Sequence, residues 1–209
     1  MINKEEIAKI LLKIKAVTLR ANPPYKWVSG ILAPIYTDNR LLMSYPEERE
    51  KIVDGFAKAI KSNKIKVDVV AGIATSGIPW SAWVAEKLKL PMVYIRKSSK
   101  EHGKENLIEG KLDRGKKVAI IEDLISTGGS SISGVEAVRE HGCKVDCCLA
   151  IFTYEMEAAR KNFEKAKVKL VTLTNFSTLV NVAVKQSYLN EEDRANVLEW
   201  VKNPEQWGK

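Results

Sequence analysis

Residues 118–131 read VAIIEDLISTGGSS, and the reading of this stretch decides the fold. Four apolar residues, three of them β-branched, run into two adjacent carboxylates, Glu122 and Asp123. After Leu124 and Ile125 the chain turns to hydroxyls and glycines: Ser126, Thr127, Gly128, Gly129, Ser130 and Ser131. β-Branched residues fit a pleated strand, and small polar residues ahead of "SISGVEAVREHG" mark a helix that ends at Gly142. A helix start leaves several N–H groups unpaired, with the positive end of the helix dipole behind them. Glycine lets that backbone close around an anion, so the turn is a phosphate cradle. The carboxylates would repel the same phosphate and suit sugar hydroxyls or a divalent cation. A sugar carrying a phosphate satisfies both halves. The competing reading is a plain N-cap with two acids exposed by chance. No Walker loop and no G-x-G-x-x-G fingerprint accompanies it.

The pattern of strand, glycine turn and helix repeats outward from about Lys66. "KVDVVAGIA" is an apolar strand that leads into "TSGIP" and the helical "WSAWVAEKLKL". "PMVYIR", "KKVAIIEDL", "KVDCCLAIF" and "VKLVTL" supply further strands, and "EMEAARKNFEKA" a further helix. Apolar strands alternating with helices predict an α/β fold, a mainly parallel sheet covered on both faces. Ligands of such sheets bind beyond the carboxyl ends of the strands, which directs attention to the loops after Ala74, Arg96 and Asp123. The first offers Thr75, Ser76 and the N–H groups around Gly77, a second anion cradle. The second, "RKSSKEHGKENLIEG", carries Arg96, Lys97, Lys100, His102 and Lys104 with few apolar residues. A long polar loop in a compact domain is either a solvated segment or a functional lid. Beside two cradles, its cations could close over a polyphosphate and stabilise charge on a leaving group.

The chain has 209 residues, 45% of them hydrophobic, enough for one sizeable core, so residues 1–209 are expected to form a single domain. The core is placed at about 66–175. The first fifty residues, rich in Pro and aromatics, and the C-terminal helices form a smaller hood on the sheet. No run of about 18 apolar residues exists to span a membrane. "MINKEEIAKILLKIKAV" carries acids and reads as an amphipathic helix and not a signal peptide, so a cytoplasmic location is expected. The formal charge of +8 points to an anionic partner, a nucleic acid or a phosphate-rich small molecule. Cys143, Cys147 and Cys148 do not have a zinc spacing and read as apolar filler in a buried strand. Trp80 and Trp83, three apart on a helix, read as core or dimer contact. Tyr36 is the aromatic residue most readily connected to a base pocket.

These residues resemble a known family. "IIEDLISTGGS" is similar to the phosphoribosyl-pyrophosphate (PRPP) motif of type I phosphoribosyltransferases, and "SGILAPIYTDNR", "YIRKSSKEHG" and "AIFTYEMEAARKNF" resemble its orotate branch. The likeness runs from about Leu19 to about Asn181. It implies attack of orotate on C1 of PRPP, giving orotidine 5'-monophosphate and pyrophosphate, with Mg2+ bound mainly through PRPP and no protein-held metal. It also implies residue roles. PRPP would meet Arg96, Lys97, Lys100, His102 and residues Glu122, Asp123, Leu124, Ile125, Ser126, Thr127, Gly128, Gly129 and Ser130. Thr75, Ser76 and Gly77 would face the pyrophosphate. Ser126 would also touch orotate, and Lys100, His102 and Asp123 would be catalytic. The flap of one subunit would serve its partner's site in a homodimer. Many members carry a lysine where this chain has Leu32, with Arg40 and Lys26 as nearby cations. Another nucleobase, or a PRPP-sensing regulator that binds nucleic acid, are the alternatives; no added helix-turn-helix or arginine-rich arm supports the regulator.

Overall fold

The structure, a computed structural model, describes residues 3–96 and 107–208. Its centre is a six-stranded sheet. The strands are β5 (Val69–Ile73), β6 (Met92–Ile95), β7 (Ile108–Glu109), β8 (Lys117–Ile125), β9 (Lys144–Thr153) and β10 (Lys169–Thr172), in the order β10-β9-β8-β5-β6-β7. All neighbours are parallel except β6 and β7. The parallel sheet follows the expectation from sequence. β7 was not foreseen, because two residues are too few to carry a strand period.

Side chains alternate across the pleat, and both faces are covered. Val69, Ala71, Ile73, Val118 and Ile120 face α4 (Gly129–Glu140) and α5 (Glu157–Ala166), packing on Val135, Val138, Ala159 and Phe163. Val70, Ala119, Ile121, Cys147 and Leu149 face the other way. They join a core built with α1 (Lys4–Lys13), α2 (Pro46–Ser62), α3 (Gly77–Leu88), α6 (Phe176–Lys185) and α7 (Glu191–Glu199). Ile120 and Ile121 are both fully buried on opposite faces, so each contributes on the order of 2 kcal/mol of apolar transfer. The three cysteines are free and buried, as apolar filler should be. Burial pushes the Cys147 thiol up to about 11, out of reach of ordinary thiolate chemistry.

The N-terminal region holds two short antiparallel ladders, β1 (Val17–Leu19) with β4 (Ile35–Thr37) and β2 (Tyr25–Lys26) with β3 (Leu32–Ala33). A 3-10 turn over Asn39–Ser44 leads into α2, whose Pro46 occupies the first turn, where its missing N–H costs nothing. Trp200 ties both ends of the chain together. It is fully buried, with Trp27, Tyr154 and Phe176 at ring distances of 5.4, 5.4 and 5.5 Å. Trp27 is thus spent on packing, and its Nε1 donates to the Ile35 carbonyl at 3.1 Å. Trp80 is buried with Trp83 edge-on at 5.2 Å, and Arg49 stacks over Trp83.

Candidate functional site

At the carboxyl edge of the sheet the ends of β5 and β8 and the turn after β4 enclose a pocket of about 320 Å3. Strand β8 delivers Glu122 and Asp123 into it. Glu122 is 7% exposed and its Oε1 accepts from the Asp123 amide at 3.1 Å. Burial pushes the Asp123 carboxyl above its usual value, while Glu122, two main-chain N–H groups and the Arg40 charge pull it back. Both carboxylates line the open pocket, where hydroxyl groups of a ligand could donate to them.

The floor of the pocket continues through Leu124, Ser126, Thr127, Gly128, Gly129, Ser130 and Ser131. Gly128 caps α4 in the left-handed region, with φ of +78°. A Cβ there would lie 2.7 Å from Phe163 Cε2, so the conformation favours glycine and the ring edge would have to move to admit a side chain. No side chain caps this helix, which leaves its first amides for a ligand. Ser126 Oγ donates to Met156 Sδ at 3.6 Å and stays within the lining. Asn162 Nδ2 donates to the Thr127 carbonyl at 2.9 Å and steadies the turn from α5.

The second cradle meets the first. Ala74, Thr75 and Ser76 line the same pocket, with a cis peptide between Ala74 and Thr75. Gly77, expected beside them, lies one layer behind as the first residue of α3; a Cβ on it would be 2.5 Å from the Ile121 carbonyl. The Ile125 side chain is 1% exposed in the core beside α4, while its neighbour Leu124 reaches the pocket. Arg96 lines an adjoining recess of about 230 Å3 with Ser130 and Gly134, and its Nη1 lies 3.5 Å from Glu109 Oε1. Lys97, Lys100 and His102 lie outside the described residues.

The fourth wall comes from the end of SGILAPIYTDNR, a stretch that carried the family resemblance but was given no site role from sequence. Thr37, Asp38, Asn39 and Arg40 line the pocket from the hood. Asn39 is 1% exposed, and its Nδ2 donates to the Asp123 carbonyl at 2.8 Å, across 84 positions of sequence. Asp38 accepts from Arg40 Nε at 2.6 Å and Nη2 at 3.0 Å, and from the Arg40 amide at 3.2 Å. Asp38 thus makes a local turn of the kind short acidic side chains favour, and "TDNR" carried that signal. Arg40 is both the ion-pairing residue its setting suggests and a wall of the site. Leu32 is not among the lining residues; it pairs with Lys26 in the β2–β3 ladder. Tyr36 is half exposed and lies against Tyr25 at 5.9 Å, and its neighbour Thr37 takes the place in the pocket.

Known proteins resemble this chain in sequence and fold. Residues 45–191 match the phosphoribosyl transferase domain. The orotate phosphoribosyltransferase of Listeria innocua is 53% identical over 206 residues, 99% of each chain. That of Coxiella burnetii is 48% identical over 202 residues, 97% of each chain. Among solved structures, the orotate phosphoribosyltransferase of Aeropyrum pernix superposes with a TM-score of 0.76 at 27% identity, covering 88% of this chain and 99% of its own. On these matches the chain belongs to the phosphoribosyltransferases, in their orotate phosphoribosyltransferase branch.

Proposed function

We propose that the protein transfers the phosphoribosyl group of PRPP to orotate, forming orotidine 5'-monophosphate and releasing pyrophosphate, a step of pyrimidine nucleotide synthesis. The observation that carries this reading is the joining of three chemistries in one pocket: two carboxylates, an uncapped helix start and a second hydroxyl-bearing turn. Relatives about 50% identical over nearly their full length bear the same activity in their names.

In this reading Glu122 and Asp123 accept from the ribose hydroxyls. Ser126, Thr127, Gly128, Gly129 and Ser130 hold the 5'-phosphate. Thr75 and Ser76 face the pyrophosphate, and Gly77 acts by letting α3 start close to β8. As the C1–O bond to pyrophosphate breaks and the N1–C1 bond forms, positive charge develops on the sugar. The Asp123 carboxylate is on hand to stabilise it, and fixed groups do so without reorganising. Arg96, with Lys97, Lys100 and His102 of the flap, would neutralise the departing pyrophosphate. The hood would cover the base, with Ser126 below it.

Among the described residues no three His, Cys, Asp or Glu side chains converge as a metal cage. Two carboxylates and several hydroxyls fit instead a Mg2+ that arrives on PRPP, with Glu122 and Asp123 facing it; when bound, the ion would neutralise charge on the leaving group. A homodimer in which the flap serves the neighbouring site, and work in the cytoplasm, complete the proposal. Among the described residues no helix is long and apolar enough to cross a membrane.

The deciding experiment is pyrophosphate release from PRPP and Mg2+ across a panel of orotate, uracil, adenine, guanine and hypoxanthine. Release with orotate, at least about a hundredfold faster than with any other base, is expected. Release with another base and none with orotate would overturn the assignment.

A further inference from the structure

The hood touches the carboxylate strand through one buried amide, and the reaction described above gives that amide no role. Asn39 is 1% exposed, lines the pocket and starts the 3-10 turn that follows β4. Its Nδ2 donates at 2.8 Å to the main-chain carbonyl of Asp123, the residue whose carboxylate faces the sugar. Its Oδ1 is buried without a hydrogen-bond partner among the described residues. A buried amide oxygen left without a donor costs free energy that an apolar residue of the same size would not incur. The turn keeps its local shape without Asn39, through the bonds of Asp38 with the Arg40 side chain and amide.

We infer that Asn39 is a positioning residue for the phosphoribosyl transfer: Nδ2 fixes the Asp123 peptide at the end of β8, and Oδ1 takes a hydrogen bond from an N–H or O–H of the bound substrate. One amide then links occupancy of the pocket to placement of the carboxylate at the reacting sugar. The charged groups facing it are Asp38 and Arg40 from its own turn and Glu122 and Asp123 from β8. Three of these four are acidic, so a neutral amide donates there without adding a further negative charge. The inference rests on the transfer reaction proposed above.

Two substitutions test it. Asn39→Leu keeps the branching at Cγ, is somewhat larger, and removes both hydrogen bonds. Asn39→Asp keeps the shape but can donate to the Asp123 carbonyl only while protonated. Wild type is assayed first on the panel of bases, and its best base is used throughout; a wild type inactive with orotate counts against the base assignment and leaves this test intact. With Asn39→Leu, kcat should fall about tenfold or more while KM for PRPP stays within about threefold. With Asn39→Asp, kcat relative to wild type should be highest at the acid end of the range in which wild type turns over and fall as pH rises and the carboxyl ionises beside Glu122 and Asp123. A purely structural role would lower activity and thermal midpoint together and leave that ratio flat. If Asn39→Leu folds with kcat within about twofold of wild type, or if the Asn39→Asp ratio does not change with pH, the inference is wrong. Should Asn39→Leu fail to fold, the nearly isosteric Asn39→Asp profile decides alone.

Discussion

The two strand ends that meet in the pocket share a sequence pattern and do different work. After β8 the chain brings two acids and opens α4 behind a left-handed glycine with no capping side chain. After β5 it brings no acid, and its glycines serve close packing: Gly77 lies against the Ile121 carbonyl, and a Cβ on Gly72 would be 2.4 Å from Ser81 Oγ. The β8 end leaves Thr127, Gly129 and Ser130 exposed at the helix start, behind a left-handed glycine. The β5 end is built to bring a second row of hydroxyls up to it. A glycine turn after a strand is therefore not one feature: the same residue type frees a backbone for an anion in one place and removes a Cβ from a packed layer in the other.

That contrast can be broken by substitution, and the largest effect is expected on chemistry at β8. Asp123→Asn should lower kcat with orotate by about a hundredfold or more, since a fixed charge facing the transition state is lost. Steady-state pyrophosphate release measures it; a drop of less than about fivefold would remove Asp123 from the reaction.

Next in size is a stability effect at β5. Gly77→Ala forces a Cβ to within 2.5 Å of a backbone oxygen that cannot rotate away. Overpacking of this kind costs about 2–3 kcal/mol, to be read as a lower denaturation midpoint. Gly128→Ala should behave in the opposite way. Its clash is with the edge of the Phe163 ring, which can shift, and its φ of +78° costs about 1 kcal/mol. The larger expected change is a loss of about tenfold in PRPP affinity as the cradle distorts, about 1.4 kcal/mol, measurable by calorimetry. Equal stability losses at Gly77 and Gly128, with equal effects on PRPP, would dissolve the distinction between the two ends.

The smallest effect is linked to pH. Burial raises the Asp123 carboxyl above its ordinary 3.8, so the native state holds that proton more tightly than the unfolded chain. Its contribution to stability is then present below the unfolded value and is lost as pH rises through the raised one. Removing the titration should help the empty protein most where the carboxylate is charged. The thermal midpoint of Asp123→Asn, relative to wild type, should therefore rise between pH 4 and pH 8, while activity falls. A parallel pair of midpoint curves would show that Asp123 is not desolvated in the free protein.

Much of this was legible in the chain because it is local. VAIIEDL announces a strand, STGGSS a helix start, and the order of the two places acids beside free amides. Two further strand–turn–helix units lead to a parallel sheet, and that topology brings strand ends together. The burial of Cys143, Cys147 and Cys148 was also readable, since no metal spacing competed with an apolar strand. Other features were not. Ile125 and Gly77 sit inside the right motifs, yet the core takes the side chain of one and helix packing absorbs the other. Arg40 offered two readings, ion pair or substrate cation, and its place in the pocket depends on how the hood folds over β8.

By itself, then, the sequence determined which segments become the main strands and which residues stand at the β5 and β8 ends, because hydrophobic period and turn residues act within a few positions. Only the tertiary structure decided that Asn39 reaches Asp123 across 84 residues, that the hood turn forms the fourth wall and that Leu32 stays out of it. Those outcomes follow from how the hood and α2 seat against the sheet, where burial of shared apolar surface sets the register and no local pattern of residues encodes the meeting point.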